Sequence, residues 1–195
     1  SGIVYCATRK ETEALAQTLN IMVPQLRKAQ GSQMEDGPIA AAYHGGMPAN
    51  VRERAQRDFV TDTVPLVVAT NAFGMGIDKS NVAFVIHYNM PKNLESYYQE
   101  AGRAGRDGSP ADCILLYSPQ DVRTNRFLIE NSEPNAELDA EMQETVQKRE
   151  YDRLRQMTFY CTTADCLRAF ILRYFGEQAG EYCGNCSSCA AGSAV

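Results

Sequence analysis

Residues 65–70 read Pro-Leu-Val-Val-Ala-Thr, an unbroken apolar run with no polar alternation. A strand with one wet face alternates apolar and polar side chains. A continuous run bounded by Pro65 and Thr70 instead fits a strand covered on both faces, as in a parallel sheet between helical layers. Parallel neighbours need long crossovers, usually helices, and the flanking sequence supplies them. Ile3–Cys6, Ile39–His44, Val82–His87 and Cys113–Tyr117 are four further strand-like runs. A helix starting near Thr8 carries Leu15, Leu19 and Met22 on one face. Pro48 is placed to begin a second, with Val51, Ala55 and Phe59 on its inner face. Residues 24–38 are polar, broken by Pro24 and Gly31, and predict a helix end and an exposed loop. The pattern over residues 1–117 therefore predicts an α/β domain built on a doubly wound parallel sheet, with function at the carboxyl ends of the strands.

From Ser118 onward strand runs cease. Val122–Ile129, Asn135–Tyr160 and Asp165–Phe175 read as helices, the last stopped by Gly176. In the long helix Leu138, Met142, Val146, Leu154 and Met157 form the apolar set. Its acids come early and its bases late, which complements the helix dipole. Residues 118–195 thus form a second, small and mainly helical domain.

Composition narrows the class. At 44% hydrophobic and 22% charged residues the chain is an ordinary globular protein. No apolar run approaches the ~20 residues of a membrane span, so no membrane role is expected. The opening lacks a signal peptide, and the chain is expected to begin inside a longer, non-secreted protein. The net charge is −5, with 11 basic and 12 acidic side chains in residues 1–117 and 8 and 12 in residues 118–195. That excludes a binder relying on overall positive charge; any nucleic-acid contact must be local.

Residues 93–108, NLESYYQEAGRAGRDG, concentrate chemistry. Asn93 is suited to cap a short helix on which Gln99 and Arg103 are i and i+4. Gly105 allows a turn before Arg106. Two guanidiniums and an amide then project from a helix end and its exit turn, an arrangement suited to charge on a transferring phosphoryl group. Surface ion pairs with Glu100 and Asp107 are the simpler alternative. The stretch Thr70–Asp78 follows the apolar strand. Gly74 and Gly76 permit close backbone approach to an anion, Thr70 offers a hydroxyl, and Asp78 offers an acceptor for a ribose hydroxyl or an arginine.

Seven cysteines without a signal peptide point to a reducing compartment. Cys166, Cys183, Cys186 and Cys189 have metal-site spacing, with overlapping Cys-x-x-Cys units and Gly184 in the turn. Four sulfurs complete tetrahedral zinc with no open position, so the metal is structural; an iron–sulfur cluster on the same thiols is the alternative. Cys161 is turned away by its i, i+5 offset. Cys6 and Cys113 lie in strand patterns expected to be buried.

The run YYQEAGRAGRDG resembles the sixth motif of superfamily-two helicases, in the form found in the RecQ family of DNA helicases. Residues 70–78 resemble the fifth motif, Tyr5–Arg9 the fourth, and Tyr43–Met47 a loop that meets the DNA backbone. The four cysteines with Leu167–Phe175 between them resemble the RecQ zinc-binding region. The likeness covers residues 2–189. It implies that residues 1–117 are a second RecA-like lobe and residues 118–195 a zinc module. It implies ATP hydrolysis with Mg2+ and 3′ to 5′ unwinding. Arg106 and Arg103 would act on the γ-phosphate and Gln99 would couple nucleotide to lobe closure. Gly76 and Asp78 would face ATP; Thr70, His44 and Gly45 would face DNA. A phosphate-cradling loop ending in Gly-Lys-Ser/Thr and a magnesium-holding acidic motif are missing, and are expected on a first lobe preceding Ser1. Without it the chain is not expected to hydrolyse ATP, and Arg103 and Arg106 should stand exposed. The implied location is the cytoplasm of a bacterium, at the nucleoid, or a nucleus. Two rival readings are a zinc-containing DNA- or protein-binding adaptor with a degenerate helicase lobe, and an RNA helicase of the same superfamily.

Overall fold

The computed structural model describes residues 1–29, 37–74, 79–132 and 139–192. Five strands form one sheet: β1 (Gly2–Tyr5), β2 (Ala40–Tyr43), β3 (Leu66–Ala69), β4 (Phe84–His87) and β5 (Asp112–Leu115). Their order is β2-β3-β1-β4-β5, and every neighbouring pair is parallel. The helices between them are α1 (Arg9–Ala29), α2 (Ala49–Val60) and α3 (Leu94–Ala101). The doubly wound parallel sheet predicted from sequence is the observed one.

Pleating explains why the central strands are apolar throughout. Ile3, Tyr5, Val67, Ala69 and Val85 point to one face, where they pack with Phe59 of α2 and with Phe73 and Val82. Val4, Cys6, Leu66 and Val68 point to the other, against Ala16, Leu15 and Leu19 of α1. Successive side chains are thus buried on opposite sides, as a helix-covered strand requires. Full burial of one such Val or Leu contributes about 1.5–3 kcal/mol.

Some local expectations change. Pro24 lies inside α1, which continues to Ala29. A single proline removes one donor from the ladder and here falls late in the helix, so it does not end it. The remainder of the expected loop, residues 30–36, lies outside the described residues. The preceding turn is useful: the Asn20 side chain accepts from the N–H groups of Ile39 and Ala40 and donates to the Ala40 carbonyl, fixing where β2 starts. Thr8 caps the start of α1: the Glu11 N–H donates to the Thr8 hydroxyl, which donates to the Glu11 carboxylate. Val51 of α2 is exposed, leaving Ala55 and Phe59 as the buried contacts. Cys113 is exposed rather than buried, because β5 is the sheet edge.

Residues 1–91 and 95–118 form one compact unit; residues 92–94 and 119–195 form another. The second unit contains α4 (Pro119–Glu130), α5 (Ala140–Thr162), α6 (Leu167–Tyr174) and α7 (Ser187–Gly192). The Asp139 carboxylate accepts from the Met142 N–H and caps α5; the helix start expected at Asn135 lies outside the described residues. Leu154, Met157 and Tyr160 are buried, but Met142 and Val146 are exposed, so packing engages the second half of α5. In α4 and α5, Tyr151 donates to Glu130 at 3.0 Å.

Candidate functional site

The arginine-bearing turn begins where α3 ends. The Gly102 N–H still reaches the Tyr98 carbonyl, four residues back. The next N–H groups, of Arg103 and Ala104, reach only three back, to Glu100 and Ala101. The helix has tightened into turns by Arg103, so the regular i, i+4 geometry expected for Gln99 and Arg103 stops with α3 at Ala101. Gly105 has φ of 63°, and a β-carbon there would strike the Ser109 carbonyl at 2.7 Å. Only glycine takes this turn without strain.

Arg103 is half-buried, not exposed. Its Nη1 donates to the Gly74 carbonyl at 2.9 Å. Gly74 itself has φ of 140°, and a β-carbon would collide with the same guanidinium. Tyr5 Oη donates to the adjacent Phe73 carbonyl at 3.2 Å. Two consecutive carbonyls of the loop after β3 are therefore held from β1 and from the arginine turn. Burial pushes the Tyr5 phenol well above its usual range, with Arg103 partly offsetting that, so Tyr5 stays a neutral donor. Arg103 Nε is buried without a partner among the described residues.

Behind this contact lies a buried pair that the sequence does not reveal. His87 is 1% exposed and sits between Tyr5, stacked at 5.4 Å, and Tyr97, at 5.0 Å. Its Nε2 is 2.9 Å from the Glu100 carboxylate. Nδ1 is buried with no partner among the described residues. The network assigns the proton to Nε2, with Glu100 as acceptor. Glu100 thus ties α3 to β4, one turn before Arg103, instead of pairing with an arginine at the surface.

Arg106 and Gln99 are exposed, and Arg106 Nε donates back to the Gly102 carbonyl at 3.2 Å. Thr70 is 9% exposed, and its hydroxyl lies 3.5 Å from the Ala72 N–H. His44 is buried, with Nε2 2.9 Å from Glu13. Its side chain is a packing and tethering group, and Gly45 and Gly46 are the exposed residues of that turn. The two turns adjoin: Tyr43 pairs in register with Ala69, the Thr70 N–H donates to the Tyr43 carbonyl, and Gly45 faces Ala72. Arg9 lays its guanidinium over Gly46, adding a cation to this edge. Gly76 and Asp78 lie outside the described residues.

In the second unit the four thiols Cys166, Cys183, Cys186 and Cys189 lie within 4.8 Å of one another. Cys183 and Cys189 sulfurs are 3.9 Å apart, and Cys166 and Cys186 sulfurs 4.0 Å. A zinc with ~2.3 Å bonds to four sulfurs needs an edge of ~3.8 Å; a disulfide needs ~2.05 Å. The spacing fits the metal. Gly184, with φ of 70°, makes the turn inside the first Cys-x-x-Cys. Backbone N–H groups of Ala169, Asn185, Cys189 and Cys183 point at the four sulfurs at 3.4–3.5 Å. Burial opposes ionisation of Cys186, but the N–H groups of Cys189 and Leu167 outweigh it and bring the thiol down to about 6. The Asn185 N–H likewise lowers Cys183. The Cys183 N–H favours the Cys189 thiolate, yet burial and the neighbouring thiols Cys186 and Cys166 push it up to about 11. Four thiolates so close repel until a dication neutralises them. Cys161 stands apart from the cluster, its thiol raised to about 12 by burial and by Asp121.

Residues 1–108 match the family described as helicase conserved C-terminal domain, which defines the class. Residues 119–190 match the family described as RecQ zinc-binding. Among curated proteins, the chain is 48% identical to an ATP-dependent DNA helicase RecQ of Bacillus subtilis over 97% of its own length and 28% of that protein. It is 41% identical to the protein of the same name from Haemophilus influenzae, over 97% of the chain and 27% of the relative. The structure of Mycobacterium smegmatis helicase Lhr bound to ssDNA and AMP-PNP shares the fold, with TM-score 0.53 and 24% identity over 92% of this chain and 25% of that one. The chain belongs to the RecQ family of helicases, and carries that family's zinc-binding module with one structural zinc.

Proposed function

We propose that this chain is the second motor lobe and zinc module of an ATP-dependent DNA helicase that unwinds 3′ to 5′. It spans 28% of the length of the Bacillus subtilis relative. ATP and Mg2+ are held mainly by a first lobe, and residues 1–117 and 118–195 are the two functional domains. The single observation that carries the reading is a pairing within one chain. A glycine turn presents Arg106 beside an arginine-braced loop, and a four-cysteine cluster follows.

In this reading Arg106 supplies the guanidinium that meets charge on the γ-phosphoryl oxygens. Its exposure suits a group that completes a site on another surface. Arg103 holds the Gly74 carbonyl and keeps the loop leading to Gly76 and Asp78 on the ATP side. Gln99, exposed on α3, senses nucleotide and couples it to closure. The turns at Thr70 and at His44–Gly45 follow paired strand ends and grip DNA phosphates through their backbone, with His44 fixing the turn from beneath. Cys166, Cys183, Cys186 and Cys189 hold the zinc, which supplies folding free energy and no catalysis. The protein works in the bacterial cytoplasm at the nucleoid, or in a nucleus. Among the described residues no helix is long and apolar enough to cross a membrane.

The test is strand separation by the full-length protein on duplexes bearing a 3′ or a 5′ single-stranded tail, in DNA and in RNA. ATP-dependent opening of the 3′-tailed DNA alone supports the proposal. No unwinding and no DNA-stimulated ATP hydrolysis would favour a binding adaptor, and preference for RNA would favour an RNA helicase.

A further inference from the structure

The turn that carries Arg106 is stitched on both sides to one short segment. The Gly105 N–H donates to the Val82 carbonyl at 2.9 Å, and the Asp107 N–H to the Ser80 carbonyl at 3.3 Å. These bonds flank Arg106 directly, so its backbone is placed by residues 80–82. What places residues 80–82 is a buried cation. Lys79 is 5% exposed, an unusual fate for an ammonium group. Its Nζ donates to the Asp62 carboxylate at 2.8 Å and to the Val60 carbonyl at 3.3 Å, and lies 5.3 Å from the centre of the Phe59 ring. All three partners belong to the end of α2 and the turn after it. Asp62 is the one non-glycine residue with positive φ among the described residues, at 57°. The Lys79 ammonium and, more weakly, the Asn81 side chain hold its carboxyl below the usual carboxylate range. An aspartate is among the few side chains that tolerate this backbone. The left-handed turn brings its carboxylate under Lys79.

We propose that Lys79 and Asp62 form a positioning latch for Arg106, in which the buried ammonium fixes residues 79–82 against the end of α2 and their carbonyls set the turn carrying the arginine. Neither latch residue touches nucleotide. The inference rests on the reading of Arg106 as the group that completes the ATP site. It adds that α2, on the far side of that loop, sets the accuracy of the arginine. A small displacement of a phosphoryl-contacting group is enough to cost up to about a hundredfold in rate. Binding of ATP, held mainly by the first lobe, depends on it far less. The latch therefore acts on kcat and not on KM.

The experiment is DNA-stimulated ATP hydrolysis by the full-length protein, with kcat and KM measured for wild type, Lys79→Met, Asp62→Gly and Arg106→Ala. Lys79→Met keeps the stem over Phe59 and leaves a carboxylate that is 53% exposed and stays hydrated, so the fold survives. It should lose about tenfold or more in kcat with KM for ATP changed less than about threefold. Asp62→Gly suits the left-handed backbone but leaves the buried Lys79 ammonium with only the Val60 carbonyl, so it lowers thermal stability as well as kcat. The double variant Lys79→Met with Asp62→Gly strands no buried charge, and its kcat decides the matter should either single variant melt early. Adding Asp62→Gly to Lys79→Met should cost nothing further, because both remove one interaction. Wild-type kcat in folded Lys79→Met, or in Asp62→Gly, overturns the latch while an inactive Arg106→Ala leaves the motor reading standing. Full turnover in Arg106→Ala overturns that reading itself.

Discussion

Arg103 Nη1 donates to the Gly74 carbonyl at 2.9 Å, closing a loop whose glycine leaves no room for a side chain. The contact joins two stretches 29 residues apart and uses the arginine as a brace. A lysine keeps the charge but loses the planar fork. Arg103→Lys in the full-length protein should lower DNA-stimulated ATP turnover by about tenfold or more. Steady-state hydrolysis measures this, and wild-type turnover would show that the fork is dispensable.

His87 and Glu100 are buried partners, and replacing one strands the other. His87→Phe fills the space between Tyr5 and Tyr97 but leaves the Glu100 carboxylate, 13% exposed, without its donor. An unsatisfied group of this kind costs about 1–3 kcal/mol. Chemical denaturation of the chain should show a midpoint shift corresponding to that loss. An unchanged midpoint would mean that the pair contributes nothing to holding α3.

The cysteine cluster predicts about one zinc per chain and a colourless protein. Brown colour with visible absorbance would identify an iron–sulfur cluster instead. Chelation, or Cys183→Ser, should unfold the region from Cys166 onward, because so small a module has little core of its own. Hydrogen exchange over residues 166–190 reports it directly. Protection there that survives metal removal would contradict a folding role.

Residues 1–195 alone should bind and turn over no ATP, since in the proposed function the arginines complete a nucleotide site but do not build one. Release of phosphate by the purified chain, with and without single-stranded DNA, checks this. Metal-dependent hydrolysis well above background would show a nucleotide site within the chain.

The sheet was legible in the sequence because burial on both faces leaves an apolar run, as at Leu66–Ala69, that few other structures produce. Its edge was less so: Cys113 and Ile114 look like core residues in a string but lie on β5, where one neighbour is missing. The metal site was legible because tetrahedral coordination imposes a spacing that survives in one dimension. The arginine turn was half legible. Gly105 announced the turn, but the burial of Arg103 depends on Gly74, far away in sequence. His87–Glu100 and Lys79–Asp62 left no local trace, since each joins elements that only the fold brings together. Glu100 even suggested the wrong partner, an arginine at the surface, because nearness in sequence says nothing of a histidine on the adjoining strand.

In the proposed function Arg106 acts on the phosphoryl group from the exit turn of α3. Full-length Arg106→Ala, with ATP binding and single-turnover hydrolysis measured on the same preparation, tests it most directly. ATP affinity should stay near normal while hydrolysis falls by about a thousandfold or more, the scale of an arginine finger. Hydrolysis at the wild-type rate would contradict it.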